Sequence, residues 1–351
     1  MLKCISEFKN EIKALGEYIM LDAFLATLTP MLTMFICIAV GFTIRKTEIV
    51  PRDSGKVLSK LVTWVFCPAL NFATMSRNCT VQTLENHATN IILATFSVVI
   101  AMLIAIPLSR LFVREKTAER GIYAYALAFA NSGYMGDPVI QMVFGDEALA
   151  YYKFFCIPVT IAIYSWGMTQ LVPKGAEKKS FIKSFFNAPM IATILGIICG
   201  LTGFGAQLQN VAFITKSLDT LKVCMGPSAM LVAGFTIANY SLSSMFKKPK
   251  VYIASILRLT VLPSIIIGSI FGLKTLANAL LGLDISNDVL YLSFFAVATP
   301  LGLNTVVFPE AYGGNPETGA SMTMISHTMC VITIPIMFAL MTIIFGASSL
   351  G

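Results

Sequence analysis

Between Asn131 and Pro138 the chain reads Asn-Ser-Gly-Tyr-Met-Gly-Asp-Pro inside an otherwise apolar run, and between Pro300 and Asn304 it reads Pro-Leu-Gly-Leu-Asn inside another. Proline removes a backbone donor and clashes with the preceding turn, so each cluster is expected to unwind or kink a helix. A broken helix presents two half-helix ends, one positive at an N-terminus and one negative at a C-terminus. Two such breaks brought together make a site for an anion and a cation without formal charge. The amides of Asn131 and Asn304 would stand beside it as neutral donors suited to a carboxylate. Asn131, Ser132, Gly133, Asp137, Pro138, Pro300, Gly302 and Asn304 are therefore the candidate substrate-binding residues. Each asparagine taken alone also reads as a hydrogen bond between helices.

Three ionisable residues are candidates for ion coupling. Asp137 is the one carboxylate in the middle of an apolar run, and such residues are functional candidates by default. It is suited to binding a coupling proton or sodium ion, and equally to capping the second half-helix, since Asp before Pro is ordinary at a helix start. Arg258 has three readings: pairing with Asp137, countering an anionic substrate, or snorkelling to the interface. His327 reads as a hydrogen-bonded core residue before a proton carrier. Glu310 reads as interfacial.

The elements that must hold these residues follow from composition. The 351 residues are 56% hydrophobic and 12% charged, with mean hydropathy +0.78, about half the charged fraction of a soluble chain. Runs of roughly 20 apolar residues, enough to cross a bilayer, recur from Ala23 onward. Ala23 to Ile44, Asn90 to Ser109, Phe154 to Val172, Val223 to Tyr240 and Gly319 to Gly346 carry no charge. Gly121 to Phe144, Val251 to Leu273 and Val289 to Tyr312 carry one charge each, and Val57 to Met75 and Pro189 to Gly205 complete a set of ten. An all-α polytopic membrane protein is the expected fold class.

Basic residues cluster in alternate loops: Arg45, Lys46, Arg52 and Lys56; Arg110, Arg114, Lys116 and Arg120; Lys174, Lys178, Lys179 and Lys183; Lys247, Lys248 and Lys250. By the positive-inside rule these loops are cytoplasmic, which puts both termini outside. The net charge of +7 is thus a topology signal, not a nucleic-acid footprint. Residues 1–22 place Leu2, Ile5, Phe8, Ile12, Leu15 and Ile19 at helical intervals, as in an amphipathic surface helix. The eight cysteines lack metal-type spacing. Six fall inside apolar runs as small core residues, while Cys4 and Cys79 fall in segments expected to be exposed. No cofactor or metal is expected.

The basic loop at 173–188 divides the spans five and five, into 23–172 and 189–346. The halves echo each other: Pro68 and Pro227 in the second and seventh spans, Pro107 and Pro263 in the third and eighth, and the two breaks in the fourth and ninth. Five is odd, so the halves must run in opposite directions, the inverted-repeat plan of secondary transporters.

At this point the residues become recognisable. Asn131 to Pro138 resembles the N-x4-G-x-P crossover of the auxin efflux carrier family. The segment from Thr299 to Ile336, with Pro300, Asn304, Tyr312–Gly313 and Ile334–Pro335, resembles that family's ninth and tenth helices. FCPALNF in the second span and YSWGM in the fifth are also similar to it. The resemblance covers roughly Ala23 to Gly346. It implies an elevator-type carrier with ten helices, similar to bile-acid symporters and sodium/proton antiporters. Spans one, two, six and seven would be the scaffold, and three to five with eight to ten the mobile core. It also implies a small carboxylate substrate, such as malate, malonate or an auxin-like acid. Asp137 departs from the family, which has an aliphatic residue there, and Pro309 is unusual in its place.

Other classes fare less well. A pump lacks its phosphate loop, G-x4-G-K-[ST], and an intramembrane aspartyl protease needs a second membrane aspartate. A transporter-like sensor, or a cation/proton-coupled antiporter of the same fold, stands as the alternative. The expected partners are the bilayer, a small carboxylate, and a coupling proton or sodium ion, with a homodimer the possible assembly.

Overall fold

The computed structural model describes residues 2–171, 186–311, 317–346 and 348–350. These residues are helical, with no strand among them apart from one isolated bridge. In chain order the helices are α1 (Leu2–Lys46), α2 (Ser54–Asn78), α3 (Val81–Phe112), α4 (Ala118–Ala128), α5 (Ser132–Leu171), α6 (Ala188–Leu201), α7 (Phe204–Gln209), α8 (Ala212–Ala238), α9 (Leu242–Phe246), α10 (Pro249–Leu281), α11 (Asp288–Ala298), α12 (Asn304–Ala311) and α13 (Glu317–Phe345).

Seven of these are long and apolar enough to cross a membrane: α1 from Met20, α2, α3, α5, α8, α10 and α13. The ten expected runs and the seven long helices differ for physical reasons. The runs at 121–144 and 289–312 are cut by their breaks into α4 and α5, and into α11 and α12, and α4, α11 and α12 are each too short to span. One bend at Gly145 then joins the second piece of the first run to the next run, so both belong to α5. α6, with 14 residues, rises about 21 Å, short of a hydrocarbon core of about 30 Å. α1 runs unbroken from Leu2 through the first apolar run, so residues 2–22 lead directly into the first span.

The distribution of side chains is inverted relative to a protein in water. Leu25, Leu32, Ile36 and Val40 on α1, Ile92, Phe96, Val99 and Leu103 on α3, and Ile332, Ile336, Leu340 and Ile343 on α13 are exposed. Asn71, Asn131, Asp137, Arg258, Ser293, Thr299, Thr323, Ser326 and His327 are buried. Lipid tails match the outer belt. Inside, helices are held by close packing and by hydrogen bonds between them. α1 lies against α8 and α13, α2 against α6, and α3 against α4 and α5.

One further expectation changes. Cys79, expected in an exposed segment, is fully buried at the end of α2, because α6 packs over it: its carbonyl is within van der Waals reach of Gly200. Tyr312 and Gly313 lie outside the described residues, as does the basic loop up to residue 185. So does the side chain of Glu310.

Candidate functional site

α4 stops at Ala128, where Phe129 turns extended at φ −119°, ψ 133°. α11 stops at Ala298, followed by extended Thr299 at φ −63°, ψ 153°. Ending both helices in mid-bundle strands backbone groups that lipid cannot satisfy. The structure answers by crossing the two breaks. Ala130 and Leu301 form an antiparallel bridge, and the Asn131 N–H donates to the Pro300 carbonyl at 2.7 Å. The Leu301 N–H donates to the Ser326 hydroxyl at 3.2 Å. The Asn131 carbonyl accepts from Met135 and Gly136 at 3.1 and 3.0 Å, closing a π-helical turn over Ser132–Gly136. Such turns concentrate at functional positions.

At the crossing, α5 and α12 both begin. The first amides of a helix have no intrahelical acceptor, so two positive helix ends converge there. The Asn131 amide leans on His327, with Nδ2 at 3.5 Å from Nε2. On its other side the ring faces the Thr323 carbonyl, 2.7 Å from Nδ1. A carbonyl only accepts, so Nδ1 carries the proton and Nε2 is the acceptor. His327 is thereby hydrogen-bonded on both sides within the core. The Asn304 amide donates to the Tyr125 hydroxyl at 2.9 Å.

Gly145 shapes the rest. Its φ of 87° and ψ of −176° fall in a region essentially reserved for glycine. The second arm of α5 thereby folds back beside the first. Tyr152 on the returning arm donates to the Ser132 carbonyl at 2.9 Å. A Cβ at Gly136 would collide with that hydroxyl. One residue further, the Lys153 ammonium bonds the Asp137 carboxylate.

That pairing revises the reading of Asp137 in two respects. The helix starts at Ser132, so Asp137 is not its first residue, and its side chain makes no capping bond. Its partner is Lys153 and not Arg258. Arg258 is 1% exposed in a π-helical turn of α10, so it does not snorkel. None of its guanidinium nitrogens has a partner among the described residues. The sequence does not single out Lys153, because the uncharged fifth apolar run begins one residue later, at Phe154. The signal available was its place as a basic residue within a few residues of an apolar run, downstream of a glycine able to reverse the chain.

A cavity of about 160 Å³ opens beside the crossing. Asn131, Ser132, Gly133, Asp137, Gly302 and Asn304 line it, so six of the eight candidate residues come together. The two prolines do not line it. Pro138 packs toward Gly226 of α8, and Pro300 supplies the carbonyl of the crossing. Arg258 and His327 are also absent from the lining. Lys153, Cys156, Thr160 and Tyr164 of the returning arm also line it, as do Cys67, Asn71, Pro189 and Thr193 from α2 and α6. The cavity volume is many times the roughly 10–15 Å³ that a single water needs. Among the described residues no cluster of His, Cys, Asp and Glu could hold a metal ion.

A second polar cluster lies by the Gly145 bend. Asp146 binds Lys222 of α8 at 2.6 Å and accepts from Gln141 at 2.7 Å. Lys222 also lies 3.5 Å from Asp219, and Asp219 binds Arg77 of α2 at 2.7 Å.

Apolar helices facing outward, polar groups turned inward, and a small polar cavity where two helix breaks meet define a membrane transport protein. The comparisons agree with that class. A family model described as "Membrane transport protein" matches residues 26–338, and the chain belongs to this family, that of the auxin efflux carriers. It is 27% identical over 308 residues to an uncharacterized transporter of Methanocaldococcus jannaschii, covering 87% of this chain and 95% of that one. It is 24% identical over 218 residues to an uncharacterized transporter of Methanothermobacter thermautotrophicus, covering 61% and 69%.

Proposed function

We propose that this protein is a secondary transporter that carries a small organic anion, a carboxylate of the malate or malonate type, across the cytoplasmic membrane. The observation that carries the proposal is the cavity. It is bordered by two helix N-termini, the amide side chains of Asn71, Asn131, Asn187 and Asn304, and one ammonium, all suited to a carboxylate. The candidate residues at the crossing are the binding set, with Asn131 and Asn304 its amide donors.

The architecture we infer is ten membrane segments in two inverted halves. The first half comprises α1, α2, α3, the broken pair of α4 with the first arm of α5, and the second arm of α5. The other comprises α6, α8, α10, the broken pair α11–α12, and α13. The antiparallel meeting of the fourth and ninth segments supports this reading. The elevator reading takes α1, α2, α6 and α8 as scaffold and the remainder as the moving core. The cavity is lined from both groups, which is what movement of one past the other needs in order to expose it alternately. Both termini are assigned to the outer side by the loop charges.

Purified protein in liposomes loaded with malate should take up labelled malate by counterflow. Asn131→Ala and Asn304→Ala should each abolish it while leaving expression and folding intact. Folded protein that moves none of a panel of mono- and dicarboxylates would refute the substrate class. Wild-type flux in both variants would refute the site.

A further inference from the structure

Lys153 and Asp137 form an ion pair that borders the cavity and is left incomplete on both sides. The side chains are 10% and 1% exposed, respectively. Oδ2 of Asp137 engages the ammonium, while Oδ1 has no partner among the described residues. An ammonium carries three donors, so it retains capacity after Asp137 is served. The titratable groups that face Asp137 are Cys67 from α2 and Tyr152, Lys153 and Cys156 from the returning arm of α5. Of the other helices packed on this arm, α8 brings Lys222, which Asp146 and Asp219 hold, and α3 brings His87, whose ring stacks on Tyr151; neither bonds Asp137. Among the described residues Lys153 is the single positive side chain bordering the cavity, and Asp137 is its sole carboxylate partner.

We propose that Lys153 is the carboxylate anchor of this cavity and that Asp137 is its exchangeable counter-ion, so that each anion binds together with one proton. The proposal rests on reading the cavity as a small-carboxylate site. As the substrate carboxylate docks, the hydrogen bond from Nζ to Oδ2 breaks and one from Nζ to the substrate oxygen forms. Two carboxylates against one ammonium would leave a net negative charge away from water, which is costly. Asp137 removes it by taking a proton from solvent, forming an Oδ–H bond. Counted for the one carboxylate that docks on Lys153, ammonium and Asp137 carboxylate sum to zero before docking, and ammonium, that carboxylate and neutral Asp137 sum to zero after it; the second carboxylate of a substrate such as malate is left to the two helix N-termini. Release reverses both steps.

Isothermal titration of the full-length protein with malate and with lactate, repeated in buffers of different ionisation enthalpy, counts the protons taken up per anion. The wild type should take up about one. Asp137→Asn should bind with no uptake, and Lys153→Gln should bind on the order of ten- to a hundred-fold more weakly, as for loss of a charge-assisted hydrogen bond. Binding by the wild type without proton uptake overturns the exchange and leaves the carboxylate site standing. So does uptake that persists in Asp137→Asn. Unweakened binding by folded Lys153→Gln overturns the anchor. The wild-type buffer comparison decides the exchange even where a variant fails to fold. No binding of either acid overturns the site reading and the exchange together.

Discussion

Replacing Gly145 by alanine isolates the backbone that holds the site together. With φ at 87° and ψ at −176°, any residue with a Cβ is strained there, at a cost on the order of 1–3 kcal/mol. A Cβ built at Gly145 meets nothing within 4 Å, so no steric clash or new packing confuses the sign. That cost should move the folding equilibrium by about 5- to 150-fold toward unfolding. Gly268 is the matched control. It is exposed in α10, its φ is not in the left-handed region, and a Cβ there also meets nothing within 4 Å. Gly268→Ala should therefore stabilise by about 0.5–1 kcal/mol, as alanine does in a helix interior. Denaturant titration in detergent, followed by tryptophan fluorescence, reads both. Of the two tryptophans, Trp166 reports on the site, since its ring lies 5.7 Å from that of Phe129 in the first break. Opposite signs for the two variants are the expected result. If Gly145→Ala unfolds where the parent does, or the two variants shift together, the bend is not held by glycine's freedom and the placement of Lys153 needs another cause.

Two further outcomes test motion and protonation. Asp146 and Lys222 join the α5 bend to α8, so a short reducible thiol cross-linker between Asp146→Cys and Lys222→Cys, in a background with the native cysteines replaced, should stop transport and release it on reduction. Full flux in the cross-linked protein would refute displacement of α5 against α8. His327→Gln keeps both a donor and an acceptor near Thr323 and Asn131, so transport should persist with an unchanged pH profile. Loss of pH dependence in that variant would show His327 to be a proton carrier.

The breaks were legible in the sequence because their cause is local: Asn131, Gly136, Pro138, Pro300 and Gly302 each alter the backbone where they stand. Membrane burial was legible for a similar reason, since lipid selects composition over a window of residues. The partner of Asp137 was not. The residues of that pair are 16 positions apart, and only the bend at Gly145 makes them neighbours. Arg258 looked an equal candidate because sequence distance says nothing about which face of α10 it occupies. Boundaries misled as well. Drawing apolar runs to exclude charge set Lys153 and Lys222 outside the spans, whereas the structure uses one to border the cavity and the other to join helices. The part of the cavity lining from Asn71, Pro189 and Thr193 carries no local signature at all, because it exists only where α2 and α6 meet the crossing.

The doubling-back of α5 divides the ligand's surroundings into two kinds. Asp137 and Lys153 sit on the two arms of one hairpin, and Tyr152 ties those arms through Ser132. Their mutual distance is a property of the hairpin alone, unaffected by where it stands in the bundle. Asn71 and Thr193 belong to other helices, and their distance from a bound anion depends on that standing. On the proposed elevator motion, recognition would be part luggage and part doorway: the charged grip would travel with whatever it holds, and the residues on α2 and α6 would be met only at one end of the journey.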